Sequence, residues 1–465
     1  MGWLGHFTLT SPRIFHVQPR TAPVDVGHLL DEGSWSRQQQ IFVLLTALTI
    51  VFDGIDNQLL PIAVPAMMRE WALPRGAFAP VLASGMIGMM LGGALAGLVG
   101  DRLGRRVALL GSVFVFGVLT LATVFVDGIV ALAGLRFLAG LGLGGAMPNA
   151  AALASEYVPR RHRPFAVTLT IVCVPLGGSV AAFMGGQILP AFGWRVLFAI
   201  GGVLPLALAL VLWRALPESP RFLARHPARW PELSRILRRI GANAPDGTSF
   251  VDLSETHSAH ASMRSLFIPE LRRDTFALWG AFFACMLAVY SAFNWVPAML
   301  TGAGLDLSVA SNGLLAFNLG GVAGAVGGGL VISRIGSRPT MLTMTAGAAA
   351  AALVLATMTI NAASPHAPII AMLGVTGGLI NAVQTTMYAL AAHVYPTGVR
   401  ATGVGTAVAV GRIGGVLSTY AGALAIEAGG SGAFFTTVAG AMFASFCCLA
   451  LVRRHVPSFG SSGAR

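Results

Sequence analysis

The feature that most constrains this chain is a series of apolar stretches, each about twenty residues long, that recurs along nearly its whole length. A stretch of about that length can cross the ~30 Å hydrocarbon core of a bilayer as a helix. Because lipid cannot satisfy exposed backbone groups, each crossing must be helical. We predict twelve transmembrane helices, near residues 40–63, 77–99, 107–127, 129–155, 165–189, 194–214, 275–300, 308–332, 340–360, 367–392, 401–426 and 432–452.

The composition excludes a soluble domain. Of the 465 residues, 55% are hydrophobic and 10% are charged, and the mean hydropathy is +0.74. All thirty basic residues are arginine, and they account for the net charge of +12. The arginines cluster in the two tails, the long middle interval and alternate loops, which is the positive-inside pattern. Both termini and the middle loop are therefore predicted to be cytoplasmic, and the positive charge needs no nucleic-acid partner.

A polar interval rich in proline and arginine divides the first six spans from the last six. Arg163 and Gly177 align with Arg400 and Gly414 at one common offset, which indicates an internal duplication. We predict an all-α polytopic membrane protein made of two pseudo-repeated six-helix bundles. Its parts are an N-terminal cytoplasmic tail (1–36), a first bundle (37–214), a cytoplasmic middle loop (215–274), a second bundle (275–453) and a C-terminal cytoplasmic tail (454–465).

Motifs of enzymes and metal sites do not emerge from the sequence. It has no HExxH motif and no convincing nucleophile pair, and its histidines fall mostly in loops. The four cysteines lie in apolar spans, so we infer no disulfide framework. We predict a protein that is not an enzyme and that has no metal and no cofactor, with the proton as a coupling ion.

Charged residues inside the predicted spans mark the candidate site. Asp53 and Asp56 lie about 20 and 24 Å from residue 40 along the first span, at 1.5 Å per residue. Arg136 and Arg412 lie within the fourth and eleventh spans. A charge near the bilayer centre costs roughly 2.5–3.5 kcal/mol, so these groups are expected to face water and one another. Being three residues apart on a helix, the two carboxylates can share one environment and serve proton coupling; alternatively, both pair with Arg136 and only fix helix packing.

Several polar and aromatic residues are candidates for binding a substrate. The guanidinium of Arg412 presents a planar fork that suits a carboxylate, although a fixed ion pair with an aspartate is an alternative. An aromatic ring packs well on tyrosine, whereas the amides can equally form interhelical hydrogen bonds. The candidate substrate-binding residues are Arg412, Arg136, Tyr290, Asn294, Gln384 and Tyr388.

Five motifs carry a resemblance. Those typical of a superfamily are "GDRLGRR" (100–106) and "RFLAGLGLGGAMPNAAALASEYVP" (136–159), and those typical of one family within it are "DGID" (53–56), "SEYVPRRHR" (155–163) and "YPTGVRATGVGTAVAVGRIGG" (395–415). The chain resembles the major facilitator superfamily and, within it, the aromatic acid/proton symporter family of 4-hydroxybenzoate and benzoate transporters, over residues 24–455. The resemblance implies proton-coupled uptake of a small aromatic carboxylate, such as a hydroxybenzoate, by alternating access. We expect a protein of a bacterial-type inner membrane that acts as a monomer.

The resemblance further implies which charged residues matter, although it does not say which arginine contacts the substrate. The residues that it marks for transport are Asp53, Asp56, Arg136, Glu156, Arg400 and Arg412. Loop residues at the cytoplasmic ends of the spans are predicted to gate the conformational change: Asp101, Arg105, Arg106, Glu156 and Arg400. Ser333 stands where the family usually carries an acidic residue in the second half, so the chain departs from the family pattern at this loop.

Charge counting predicts symport. Two aspartates and two arginines leave the empty site neutral, and one carboxylate with one proton leaves it neutral again. An anion that enters a cell with a negative interior must work against the membrane potential, which costs about 2.3 kcal/mol per 100 mV. Co-transport of at least one proton removes this cost. Two alternatives remain open, proton-coupled efflux or antiport of another small organic molecule and, in a different class, a non-transporting membrane sensor.

Overall fold

The computed structural model describes residues 23–241, 249–252, 263–396 and 398–457. The helices are α1 Val26–Asp31, α2 Arg37–Trp71, α3 Ala79–Leu103, α4 Arg105–Ala122, α5 Ile129–Tyr157, α6 Arg163–Ala215, α7 Pro220–Ala224, α8 Trp230–Arg239, α9 Pro269–Gly302, α10 Leu307–Ile335, α11 Ser337–Thr357, α12 His366–Val394 and α13 Arg400–Leu451. Short 3-10 helices cover Arg75–Phe78, Thr123–Phe125, Arg160–His162, Pro227–Arg229 and Met263–Phe267. Strands β1 Val24–Asp25 and β2 Phe250–Val251 pair in parallel. The remaining parts of the predicted tails and middle loop lie outside the described residues.

Ten helices of the described chain are long and apolar enough to cross a membrane. Two of them, α6 with 53 residues and α13 with 52, would each measure about 80 Å, which is more than twice the thickness of the hydrocarbon core. Each contains a break, α6 at Gly193 (φ 75°, ψ 177°) and α13 at Gly429 and Gly430 (φ 61°, ψ −143° at Gly430). Glycine adopts positive φ at little steric cost. Each of these two helices therefore carries two spans, and the prediction of twelve is confirmed.

Helix α2 is longer than predicted, since it begins at Arg37 and ends at Trp71 rather than near residue 63. A capping box starts it: the Ser36 N–H donates to the Gln39 side chain at 2.7 Å, and the Gln39 N–H donates to the Ser36 hydroxyl at 3.3 Å. Two prolines, Pro61 and Pro65, lie inside the helix. Transmembrane helices tolerate proline because neighbouring groups satisfy the freed carbonyls. The candidate carboxylates therefore lie in the middle of one continuous helix.

The two halves repeat the same helix pairings. Helix α2 packs on α6 and α3 on α5 in the first half, and α9 packs on α13 and α10 on α12 in the second. Glycines allow the close approach in both: a Cβ at Gly177 would lie 3.0 Å from the Cα of Gly54, and one at Gly414 would lie 3.2 Å from the Cα of Phe283. The aligned glycines thus occupy equivalent positions, which confirms the pseudo-repeat.

The two faces of the bundle differ in what they carry. We call the face with the two ends of the described chain, the α3–α4 connection and the described parts of the middle interval the terminal end. The face with the α2–α3 and α9–α10 connections is the opposite end. At the terminal end, β1, β2, α7 and α8 form a small cap on the first half. Asp31 forms ion pairs there with Arg163 and, at 3.2 Å, with Arg221. This cap ties the segment before α2 to the interval that follows α6.

Candidate functional site

A cavity of about 40 Å³ lies deep among the spans, between the two halves. Helices α2, α3 and α5 of the first half and α9 of the second contribute its walls. Its lining residues are Asp56, Asn57, Leu60, Pro61, Val81, Leu82, Gly85, Met86, Met89, Arg136, Leu143 and Asn294. The volume holds a few water molecules but is smaller than the roughly 150 Å³ that accommodates benzene in other proteins. An aromatic ligand therefore requires the halves to move apart.

Asp56 and Arg136 form a buried ion pair on the cavity wall. The Nη1 of Arg136 lies 3.3 Å from Oδ2 of Asp56, and the two side chains are 5% and 0% exposed. The Thr120 hydroxyl donates to Asp56, and Nη2 of Arg136 donates to the Thr123 hydroxyl at 3.2 Å. The guanidinium also lies 4.9 Å from the ring centre of Phe198. Hydrogen bonds to Thr120 and Thr123 offset part of the cost of burying this pair, although the buried Nε of Arg136 has no partner among the described residues.

Asp53 lies one turn before Asp56 but has different surroundings. It is 3% exposed, and its buried Oδ1 has no hydrogen-bond partner among the described residues. It interacts electrostatically with Asp56 and with the Arg412 guanidinium. The expectation of one shared environment is therefore only partly met: the carboxylates are neighbours, but only Asp56 pairs with Arg136. The alternative in which both pair with Arg136 is wrong for this structure.

Arg412 reaches from the second half towards the cavity. Its Nη1 donates to the backbone carbonyl of Met89, a cavity-lining residue, at 2.8 Å. The side chain is half-buried, and it forms no ion pair within 4.0 Å among the described residues. A fixed ion pair with an aspartate, the alternative drawn from the sequence, is therefore not what the structure has. The remaining guanidinium N–H groups can bind a carboxylate.

The other predicted substrate contacts divide into one that lines the cavity and three that do not. Asn294 lines it, with a buried Nδ2 that has no partner. Tyr290 packs edge-on against Phe293 at 6.0 Å, and Tyr388 packs edge-on against Phe282 at 5.4 Å. The half-buried Gln384 and these two tyrosines are not among the residues that line this cavity. Tyr290 nevertheless interacts electrostatically with Asp53 and Arg412, and Tyr388 interacts with Arg412.

Four of the five predicted gating residues, all except Arg400, lie at the terminal end of the first half. Arg105 bridges Asp101 at 2.7 Å and Glu156 at 3.8 Å. The Ser219 hydroxyl also donates to Glu156. Arg105 of the α3–α4 connection is thus a basic partner of Glu156, and Arg163 forms its ion pair with Asp31.

Glu218 connects this cluster to the middle interval. Its Oε1 accepts from the backbone N–H of Arg106 at 2.9 Å and from that of Ser219 at 2.9 Å. Burial raises the pKa of the Glu218 carboxyl above its usual range. In the second half, the Nε of Arg400 donates to the Tyr395 carbonyl at 3.3 Å, away from the first-half cluster.

Polar contacts also join the halves directly. Gln58 of α2 and Asn318 of α10 exchange two side-chain hydrogen bonds, at 3.0 and 2.8 Å, and both residues are buried. Nearer the opposite end, Nη2 of Arg75 donates to the backbone carbonyl of Ala298 on α9 at 3.2 Å. Together with the Arg412 contact, these bonds hold the halves together from mid-membrane to the opposite end.

Sequence reasoning missed several of these residues. Thr120, Asn57 and the Gln58–Asn318 pair are uncharged, and a lone polar residue in a span gives no signal of its partner. Glu218 lies in "PESPRFL", a segment whose buried carboxylate only folding against α4 reveals. A hydrogen-bond partner of each missed residue lies on a helix that is distant in the sequence.

Comparison with known proteins decides the family. The model of the Major Facilitator Superfamily matches residues 46–419. The gallate transporter of Pseudomonas putida is 33% identical over 88% of this chain and 91% of its own length. The 4-hydroxybenzoate transporter PcaK of Pseudomonas putida is 34% identical over 87% of this chain and 90% of its own length. The chain belongs to the aromatic acid transporters of the major facilitator superfamily.

Solved structures of this superfamily share the fold. The inward open conformation of the xylose transporter XylE from E. coli matches with a TM-score of 0.71 at 16% identity, over 90% of this chain and 97% of that one. At 16% identity, this match shows a shared fold and not a shared substrate. The major facilitator fold predicted from the sequence is confirmed. The matching family and the relatives named above are transporters rather than enzymes.

Proposed function

We propose that this major facilitator protein takes up a small aromatic carboxylate together with protons, by alternating access. The relatives named for gallate and 4-hydroxybenzoate support the substrate class. The observation that carries the coupling is Asp53, a carboxylate with a buried, unpartnered oxygen beside the Asp56–Arg136 pair. Asp56 is committed to Arg136 and Thr120. Asp53 is therefore the group that can bind and release a proton without breaking an ion pair.

Arg412 is the proposed ligand of the substrate carboxylate. Arg136 already satisfies Asp56 and Thr123, whereas Arg412 bonds a backbone carbonyl and forms no ion pair among the described residues. A carboxylate at Arg412 would lie near Asp53, with which this arginine interacts electrostatically. Anion binding would then compete with the charged form of Asp53 for the same guanidinium, which couples substrate to proton.

The alternating movement is proposed to break and remake the contacts between the halves. The Gln58–Asn318 and Arg75–Ala298 bonds close the molecule from mid-membrane to the opposite end. The cluster of Asp101, Arg105 and Glu156 would engage the second half when the terminal end closes. The cavity lies between the two halves of a single chain, so each copy contains a complete site. The protein is therefore proposed to act as a monomer.

The terminal end is proposed to face the cytoplasm of a bacterial-type inner membrane. Arginines are concentrated there, as the positive-inside rule requires. At the opposite end, Arg195 is neutralised by Glu70 at 2.5 Å and Asp127 at 2.8 Å. With this orientation, uptake runs from the opposite end to the terminal end.

Uptake into proteoliposomes tests the proposal. Purified protein is assayed with labelled 4-hydroxybenzoate and gallate, with and without an inwardly directed proton gradient. We expect accumulation only with the gradient, and its collapse when a protonophore is added. Asp53→Asn should abolish accumulation but retain exchange of labelled for unlabelled substrate, since exchange needs no net proton movement. Accumulation that is independent of the gradient, or a fully coupled Asp53→Asn protein, contradicts the coupling.

A further inference from the structure

The second half contributes one residue to the lining of the central cavity, Asn294 on α9. This side chain is 5% exposed, and its buried Nδ2 has no hydrogen-bond partner among the described residues. A buried amide donor without a partner is destabilising by itself. Its position on the cavity wall means that a bound molecule can supply the missing acceptor.

A second amide lies on the wall that the first half contributes. Asn57 of α2 lines the same cavity, and within the described part of the chain its Nδ2 has only the thioether of Met89, 3.9 Å away, as a partner. Sulfur is a weak acceptor, so this contact is easily exchanged for a better one. Leu60, Val81 and Leu82 make much of the remaining surface apolar. The cavity therefore offers neutral amides across an apolar space, one from each half.

The amides and the proposed carboxylate ligand lie at different depths. Asn294 is eight residues before the end of α9 at the opposite end, which corresponds to about 12 Å. Arg412 is twelve residues from the start of α13 at the terminal end, about 18 Å along the helix. Because Arg412 bonds the carbonyl of Met89, which lines the cavity together with Asn294, a ligand whose carboxylate binds Arg412 can extend its ring into this cavity towards Asn294.

We propose that Asn294, assisted by Asn57, binds a ring hydroxyl that lies opposite the carboxylate, and so selects hydroxylated aromatic acids over unsubstituted ones. A neutral hydroxyl both donates and accepts, as does an amide, so the two groups can pair in either sense. Met86 and Met89 would contact the ring, since thioethers pack favourably on aromatic edges. The inference rests on the proposed transport of aromatic acids.

Selection arises from the penalty for an unpaired amide. A substrate without the hydroxyl leaves the Asn294 donor buried and unsatisfied when the site closes. Sites built to bond a hydroxyl reject analogues that lack it more strongly than apolar pockets reject an extra methylene. We expect the apparent affinity for 4-hydroxybenzoate to exceed that for benzoate by roughly 5- to 100-fold in the unaltered protein.

Competition assays with Asn294→Leu test the assignment, since leucine has the same number and branching of side-chain heavy atoms and no amide. The measured quantity is the ratio of the KM values for benzoate and 4-hydroxybenzoate in proteoliposomes, with 3-hydroxybenzoate as a positional control. We expect the ratio to fall to about one in this variant. Asn294→Ala serves as a second variant if the leucine protein does not fold.

Asn381→Leu is the matched control. This asparagine is also buried in the second half, but its Nδ2 donates to the Gly377 carbonyl of its own helix at 2.9 Å. We expect it to keep the unaltered ratio. If the unaltered protein transports neither acid, the proposed function is wrong. If it prefers the hydroxylated acid and Asn294→Leu keeps that preference, only the role of Asn294 is wrong.

Discussion

Asp53 and Asp56, one turn apart in the same helix, have different partners. Asp56 bonds Arg136 and Thr120, whereas Oδ1 of Asp53 has no partner among the described residues. Spacing in the sequence puts both on one side of α2, but helices α4 and α5 supply the bonding groups to only one of them. Asp56 therefore has a structural role, whereas Asp53, one turn away, is the carboxylate proposed to couple transport to protons.

Removal of Asp56 should therefore cost more stability than removal of Asp53. Asp56→Ala leaves the buried Arg136 guanidinium without its counter-charge, and breaking a buried pair in this way costs about 3–5 kcal/mol. Asp53→Ala breaks no ion pair. We expect a clearly lower midpoint of thermal unfolding in detergent for Asp56→Ala, with Asp53→Ala close to the unaltered protein. Equal losses in the two variants would contradict the pairing.

At the scale of elements, glycines on α6 and α13 set how closely the helices of each half approach. Gly177 and Gly414 occupy matching positions in the two halves, each against the backbone of a neighbouring helix. Without a hydrophobic force between helices in lipid, such close packing is the main source of attraction. The duplication visible in the sequence is therefore also a duplication of contacts.

Gly414→Ala should destabilise the second half. The added Cβ would lie in contact with the backbone of Phe283, and overpacking of this kind costs about 1–3 kcal/mol. The matched control is Gly405→Ala on the same helix, where nothing lies within 4 Å of the added carbon. We expect less folded Gly414→Ala protein on size-exclusion chromatography after heating, and no loss for Gly405→Ala. A wild-type profile for both would show that the approach at Gly414 is not limiting.

At the scale of the whole molecule, few polar bonds cross between the halves in the described chain. Gln58 and Asn318 satisfy each other in the membrane, where an unpaired amide would find no water. Nearby on α6 and α10, Gly185 lies against Ser311, which is fully buried at the interface. Opening of the opposite end would have to break this amide pair and expose Ser311.

Gln58→Leu should therefore favour the state that is open at the opposite end. The readout is the labelling rate of a cysteine at position 311, introduced as Ser311→Cys with the exposed Cys447 replaced by alanine. We expect faster labelling than in the same protein with Gln58 intact. The double exchange Gln58→Asn with Asn318→Gln retains both amides and should restore slow labelling. Unchanged labelling in Gln58→Leu would show that the pair does not hold the halves closed.

Much of the fold was predictable because the bilayer leaves few options. The twelve spans follow from the lengths of the apolar stretches. The breaks inside the long helices α6 and α13 also fall where the sequence predicts span boundaries, near residues 190–193 and 427–431. The end of α2 was not predictable, because Pro61 and Pro65 suggest a stop that the surrounding helices make unnecessary. At the site, Asn294, Tyr290 and Tyr388 were all predicted as substrate contacts. Asn294 lines the cavity, whereas the two tyrosines lie outside its lining and interact electrostatically with Arg412.

The sequence by itself determined the class of protein, its spans, its duplicated halves and the few charges that lipid would not tolerate, because each depends on composition and local periodicity. Only the tertiary structure decided which aspartate Arg136 neutralises, that Arg412 bonds a carbonyl rather than a carboxylate, and that Gln58 meets Asn318 across 260 residues of chain. Those choices depend on how helices distant in the sequence pack, and hydrogen bonds are satisfied only where packing brings the partners within about 3 Å.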